Sequence, residues 1–293
     1  YRHTYLLAYG QNLIFQASVE AAKDQPNTAQ IESWLSDLIT VGKRATQISP
    51  AKAANWSALA QFYTGIRPLA PGTDQFIIDA WQKAIDHDPK NPALYVQLAQ
   101  AYSNASEIID PTIAAGTGPD SDQDGLPDSK EQQLGSNPNN SDTNANGVSD
   151  GDEVKAGFNP AGTGRLSAAQ LAQFTRIDQA ELAKAETALN TAVGLKADLP
   201  DTYIALARVL EKSNKLSDAK TELDNAAKMF PNNADVLYEE GRITFNQKNY
   251  TDAETIFKRV IALVPNHANA HYSMGLIYQQ RGDTTNALAE FEK

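Results

Sequence analysis

A period of thirty-four residues limits what this chain can fold into more than any other feature. Ala185, Ala219, Ala253 and Ala287 are spaced at that interval, as are Leu189, Leu223, Phe257 and Phe291, and Pro231 and Pro265. Tyr203-Leu206-Ala207-Leu210 recurs two periods later as His271-Met274-Gly275-Tyr278. Leu237 and Gly241 fall midway between these two sets, with Glu240 and Thr244 departing from the pattern. A fixed period of this length means stacked units, each unable to bury its apolar face alone. Small Ala or Gly residues let the two helices of a hairpin approach closely. Large residues fill the space between successive hairpins, and Pro closes each unit because it cannot continue a helix.

The pattern resembles the tetratricopeptide repeat, with its W-x2-L-G-x2-Y, A-x3-F and closing Pro. The resemblance implies an all-α solenoid of helical hairpins. Less regular copies lie upstream. Trp56-Leu59-Ala60-Tyr63 opens a hairpin that Trp81-Ala84-Pro89 closes, and Tyr95-Leu98-Ala99-Tyr102 opens the next. Trp56 and Tyr95 are 39 residues apart, so the loop GIRPLAPGTD is five residues too long. Residues 28–47, ending before Pro50, and residues 2–23 read as a further helix pair.

The hairpin opened at Tyr95 does not close on schedule. Its next counterpart, Tyr203, follows more than three periods later instead of one, and the closing helix carries Ala185, Leu189 and Ala192. The excess is therefore an insertion between the two helices of one repeat, with its ends near Ile108 and Asp178. This divides the chain into N-terminal hairpins (1–107), an inserted segment (108–178) and C-terminal hairpins (179–293). SAAQLAQFTRIDQAELAKAETALNTAVGLK holds no helix breaker before Gly194, which predicts a helix projecting beyond the solenoid, with Leu171, Phe174 and Ile177 as an apolar stripe.

The insertion differs in chemistry from the rest of the chain. Asp120-x-Asp122-x-Asp124-Gly125-x5-Glu131 and Asp142-x-Asn144-x-Asn146-Gly147-x5-Glu153 both fit the pattern of a calcium loop, 22 residues apart. Gly135-Ser-Asn137-Pro138 and Gly157-Phe-Asn159-Pro160 repeat after them. Ca²⁺ takes six to eight oxygens, and alternate side chains of a curled loop converge on one point. Gly at the sixth place permits the turn. The next residue, Leu126 or Val148, gives its carbonyl and turns its side chain into a small core, and the last Glu can bind through both oxygens.

The candidate metal residues are thus Asp120, Asp122, Asp124, Leu126, Asp128 and Glu131 in the first motif (120–131). In the second (142–153) they are Asp142, Asn144, Asn146, Val148, Asp150 and Glu153. Asp128 and Asp150 bind directly or through water, and Asp152 is a weaker candidate. The segment resembles bacterial thrombospondin type 3 calcium repeats, which implies a compact, metal-organised fold with little apolar core. Two Ca²⁺ ions are expected, the second held more weakly because Asn replaces Asp at two places. A plain acidic linker has no need of Gly and Glu at fixed offsets.

Other features narrow the function. The net charge of −11 argues against non-specific binding to nucleic acid or to an anionic bilayer. Without cysteine there is neither a disulfide framework nor thiolate chemistry, which fits an extracytoplasmic protein. No phosphate loop or nucleophile motif is present, so the chain is expected to be non-catalytic. His267 and His271 lack a third zinc ligand and read as turn and packing residues. Repeat geometry places Arg208, Tyr238, Arg242, Phe245 and Tyr272 near the concave face, as a patch for a protein or peptide partner.

Both termini fall within helical sequence, so the chain is expected to be part of a longer protein. Residues 2–105 are similar to the repeat region that follows the membrane domain of bacterial O-antigen ligase/polymerase-like proteins. That resemblance implies surface glycan assembly, with the chemistry and any membrane tether outside this chain. The expected roles are an extracytoplasmic calcium-binding interaction scaffold, the soluble part of such a membrane protein, or a calcium-stiffened adhesive protein at the cell surface.

Overall fold

The computed structural model describes residues 2–23, 27–68, 72–110, 118–162, 164–196 and 198–293. Five helices come first: α1 (Arg2–Ala21), α2 (Thr28–Ile48), α3 (Ala53–Ile66), α4 (Asp74–His87) and α5 (Pro92–Ala105). The insertion follows, with β1 (Glu107–Ile109), α6 (Asp128–Leu134), α7 (Asp150–Lys155), α8 (Ala168–Leu171) and β2 (Thr175–Ile177). The helices then resume as α9 (Gln179–Leu195), α10 (Pro200–Lys212), α11 (Leu216–Met229), α12 (Ala234–Asn246), α13 (Tyr250–Leu263), α14 (Ala268–Gln280) and α15 (Thr284–Phe291).

The helices pack as antiparallel pairs: α1 with α2, α3 with α4, α5 with α9, α10 with α11, α12 with α13 and α14 with α15. Each pair also touches the next, which is the nearest-neighbour stacking of a solenoid. A side chain placed at Gly241 would reach the Phe257 ring within 2.7 Å, and one at Gly275 would run into the Phe291 ring. These two glycines are the small places of the repeat, and each receives the large residue from the partner helix of its own hairpin. Asn91, Asn233, Asn249 and Asp283 cap helices through their side chains, so the starts of these helices are written in the sequence.

The chain leaves the solenoid after α5 and returns before α9, and both crossings sit side by side. β1 and β2 pair antiparallel in the register Glu107↔Ile177, Ile108↔Arg176 and Ile109↔Thr175. Asp178 N–H donates to the Ser106 carbonyl and Asp110 N–H to that of Phe174, both at 2.8 Å, which extends the ladder at each end.

The expected projecting helix is not formed. The sequence from Ser167 breaks into α8, a turn and β2 before α9 begins at Gln179. Asp178 caps that start by accepting from the Ala180 and Glu181 amides at 2.8 and 3.4 Å. Instead of sharing a stripe, Phe174 enters the insertion core with Leu126, Val154 and Leu166, with Leu171 at its edge. Ile177 packs on the solenoid core. Pairing with β1 and this separate core outweigh the helical propensity of the segment.

The insertion, a knob beside the solenoid, also touches it through the overlong α3–α4 loop. Arg165 of the insertion donates to the Pro68 carbonyl. Arg67 pairs with Asp74 at 2.6 Å and donates to the Asn104 carbonyl at the end of α5 at 3.1 Å. The two departures from the repeat period, the long loop and the insertion, therefore meet in space.

Candidate metal centre and partner groove

The two loops share one backbone conformation. Gln123 and Gly125 have φ of 61° and 90°, and Ala145 and Gly147 have 57° and 90°. The Gly125 amide donates to Asp120 Oδ2 at 3.1 Å, as Gly147 does to Asp142 Oδ2 at 2.9 Å. Leu126 N–H reaches Asp124 Oδ1 at 2.7 Å, and Val148 N–H reaches Asn146 Oδ1 at 2.9 Å. Each loop runs into a short helix, α6 or α7, which carries the closing Glu.

In the first loop these turn bonds use one oxygen of each Asp and leave others facing inward. Asp120, Asp122 and Asp124 bring carboxylate oxygens within 4.8 Å of one another. Asp120 Oδ1, Asp122 Oδ2 and both oxygens of Glu131 are buried and accept no hydrogen bond. Glu131 is fully buried. Its burial, followed by the charges of Asp122, Asp124, Asp150 and Asp128, raises its pKa to about 7. Burial and the neighbouring Asp124 likewise raise Asp122 above the usual carboxylate range. Four buried carboxylate oxygens without a donor are costly unless a cation joins them, and hard oxygen donors suit Ca²⁺. The residues present thus fit the ion that the sequence implies.

The other expected ligands behave differently. Asp128 accepts from the Ser121 amide and hydroxyl, both at 2.7 Å, and Asp150 from those of Thr143 at 2.8 and 2.6 Å. These acids clamp their loops shut. Asp152 pairs with Lys155 at 2.9 Å and lies on the surface. Leu126 enters the core as expected, but Val148 does not: it is 45% exposed. The described residues of the insertion form one small core, and from the second repeat Val154, not Val148, fills it.

A cleft of about 580 Å³ runs along the faces of α5, α10, α12 and α14. Arg208 and Tyr238 line it, with Asn104, Asp201, Asp235 and Asn269. Of the other residues expected there, Arg242 is held by Glu211 at 2.9 and 2.6 Å and by Glu239 at 2.8 Å. Phe245 packs on Tyr250, with ring centres 5.2 Å apart. Tyr272 is exposed beside Phe291, outside the cleft lining. Asp201, Asp235 and Asn269 were missed, although they too keep the repeat period.

The two histidines do not form a metal pair. His267 caps α14, accepting from the Ala270 amide at 3.1 Å. His271 is buried between Glu290 at 2.6 Å and the Pro265 carbonyl at 2.7 Å. No described helix is long and apolar enough to cross a membrane.

Known families match parts of the chain. Tetratricopeptide repeat models match residues 80–110, and also 204–268 and 238–293. With the hairpins described above, they define an all-α tetratricopeptide-type solenoid. The model of the bacterial TSP3 repeat matches residues 120–141, the first loop and its helix. No curated protein matches.

Among solved structures, YrrB, described as a tetratricopeptide protein with an unusual peptide-binding site, is 13% identical. The match covers 86% of this chain and 89% of that one, with a TM-score of 0.43. MamA from Desulfovibrio magneticus RS-1 is 13% identical over 80% of this chain and 91% of its own, at a TM-score of 0.44. The thermophilic tetratricopeptide protein TTC0263 of Thermus thermophilus is 10% identical over 96% and 99%, at 0.45. The resemblance of residues 2–105 to O-antigen ligase-like proteins gains no support from these matches.

Proposed function

We propose that this chain is a non-catalytic, extracytoplasmic interaction scaffold whose insertion is folded by Ca²⁺. The cleft takes a protein or peptide segment. Its mixed lining of Arg208, Tyr238, Asp201, Asp235 and Asn269 suits side-chain and main-chain hydrogen bonds better than it suits an apolar ligand.

The observation that carries the calcium reading is the fully buried Glu131. Neither of its oxygens has a partner, and beside it lie the unpartnered oxygens of Asp120 and Asp122. Ca²⁺ supplies the positive charge that these groups lack, and binding energy then becomes folding energy. An affinity of about 10⁻⁴–10⁻³ M suffices for extracellular modules. Mg²⁺ should substitute poorly, because it demands near-octahedral geometry and keeps its water.

Titration calorimetry of the wild type and of Glu131→Gln and Asp122→Ala tests this reading. The wild type should bind Ca²⁺, and both variants should bind far more weakly. Chelation should expose residues 118–131 to protease while the helical repeats stay intact. Neither heat nor protection at several millimolar Ca²⁺ would end the calcium reading.

A further inference from the structure

The two loops share a backbone, yet they differ in what faces inward. In the first loop, Asp122 Oδ1 accepts from the Asp124 amide at 3.3 Å, and Oδ2 has no partner. At the matching place in the second loop, Asn144 Oδ1 accepts from the Asn146 amide at 3.1 Å. The Asn144 Nδ2 then donates to both oxygens of Glu153, each at 3.1 Å. Asn146 repeats the arrangement. Its Oδ1 takes the Val148 amide at 2.9 Å, and its Nδ2 reaches Glu153 Oε1 at 2.7 Å. Glu153 therefore receives three N–H bonds where its counterpart Glu131 receives none.

The orientation of these amides follows from their neighbours. Turning either one over would set its NH₂ against a backbone N–H and its oxygen against a carboxylate. For Asn144 and Asn146 to offer oxygen to a cation, both amides must turn. That breaks the three bonds to Glu153 and the two turn bonds.

We propose that the second loop is a metal-independent brace, in which Asn144 and Asn146 close Glu153 by hydrogen bonds in place of an ion and so fix one wall of the first site. The wall is made by α7. Gly151 N–H donates to Asp124 Oδ2 at 2.9 Å, and the fully buried Asp150 clamps Thr143 beside it. The insertion then binds a single ion, and the second loop orients Asp124 whether or not that ion is present. The inference rests on the first loop's being the Ca²⁺ site.

Native mass spectrometry with Ca²⁺ alone counts the ions. The wild type should hold one at concentrations that fill the first loop, and Asn144→Asp/Asn146→Asp should hold two. In excess chelator, protease should cut the wild type first within 118–131. The double variant, with acids facing Glu153, should also become sensitive within 142–153. By NMR in chelator, the Asn144 and Asn146 side-chain amide protons should exchange about tenfold or more slower than those of exposed asparagines. Two ions in the wild type, or freely exchanging Asn144 and Asn146 amides, overturns the brace and leaves the calcium reading standing. Protected amides with no ion in the wild type defeats the calcium reading and, with it, the brace as the wall of a metal site.

Discussion

The Gly151 amide and the Asp124 carboxylate meet at 2.9 Å, joining the start of α7 to the loop that precedes α6. The approach depends on glycine, because a Cβ at residue 151 would collide with the Asp124 carbonyl oxygen. Backbone on both sides leaves nothing that can move aside cheaply. Gly151→Ala should therefore push the loops apart and destabilise the insertion by about 1–3 kcal/mol, the usual cost of overpacking. Calorimetry should show weaker Ca²⁺ binding, while the melting of the helical repeats is unchanged.

Calcium binding should depend on pH through Glu131. Its pKa is raised from 4.5 to about 7, so between those values the folded, ion-free insertion keeps a proton that the unfolded chain has lost. Stability of the ion-free insertion is thus greatest below about pH 4.5 as far as this group is concerned, and falls as pH rises through about 7. Ca²⁺ replaces that proton, so affinity should rise across the same interval. Calorimetry near pH 6 in two buffers of different ionisation enthalpy should reveal proton release. Identical heats in both buffers would refute this role for Glu131.

Arg242 and Arg208 should separate structure from recognition. Arg242 and Glu211 are each about a quarter exposed, at 27% and 25%, and Glu239 is nearly buried at 5%. Arg242→Ala leaves Glu211 with only the Asn246 amide and the nearly buried Glu239 with only Arg208, and should cost about 1–3 kcal/mol, less than a fully buried pair because solvent screens part of it. Arg208 is 63% exposed and pairs with Glu239 at 2.5 Å, an acid that Arg242 also holds, so Arg208→Ala should lower the urea midpoint by less than Arg242→Ala does. Peptides selected on the wild-type cleft should lose binding to Arg208→Ala/Asn269→Ala.

Replacing residues 110–174 with a short polar turn should leave the solenoid folded, since Ile109 and Thr175 are already paired. Circular dichroism and hydrogen exchange should report native protection in α10 to α15. Loss of protection there would mean that the insertion is part of the solenoid core.

The repeat, the site of the insertion and the shared pattern of the two loops were legible because each is a matter of spacing. Asp201, Asp235 and Asn269 keep the same period, but polar residues at that spacing read as a solvated helix face, whereas an aromatic–arginine cluster reads as a binding surface. Arg242 misled because sequence shows a cation without the two acids that hold it. The segment from Ser167 misled because its helical propensity is real, yet three residues of ladder and the burial of Phe174 outweigh it. The contrast between Glu131 and Glu153 lay hidden in Asp-to-Asn changes that read as lost charge. Their larger effect is to supply donors, which becomes visible only when the turn bonds fix which end of each amide faces inward.

The β1–β2 ladder also has a mechanical consequence. Tension along the chain passes from α5 to α9 through Glu107–Ile109 and Thr175–Ile177, bypassing the knob. Residues 110–174 are slack held behind a three-residue clasp. If the clasp unzips, and the knob with it, the protein lengthens by on the order of 200 Å, at about 3.4 Å per residue. If the knob holds the proposed Ca²⁺, the ion would set how much of that length is released, and at what force, while the ladder carries the load in the intact molecule.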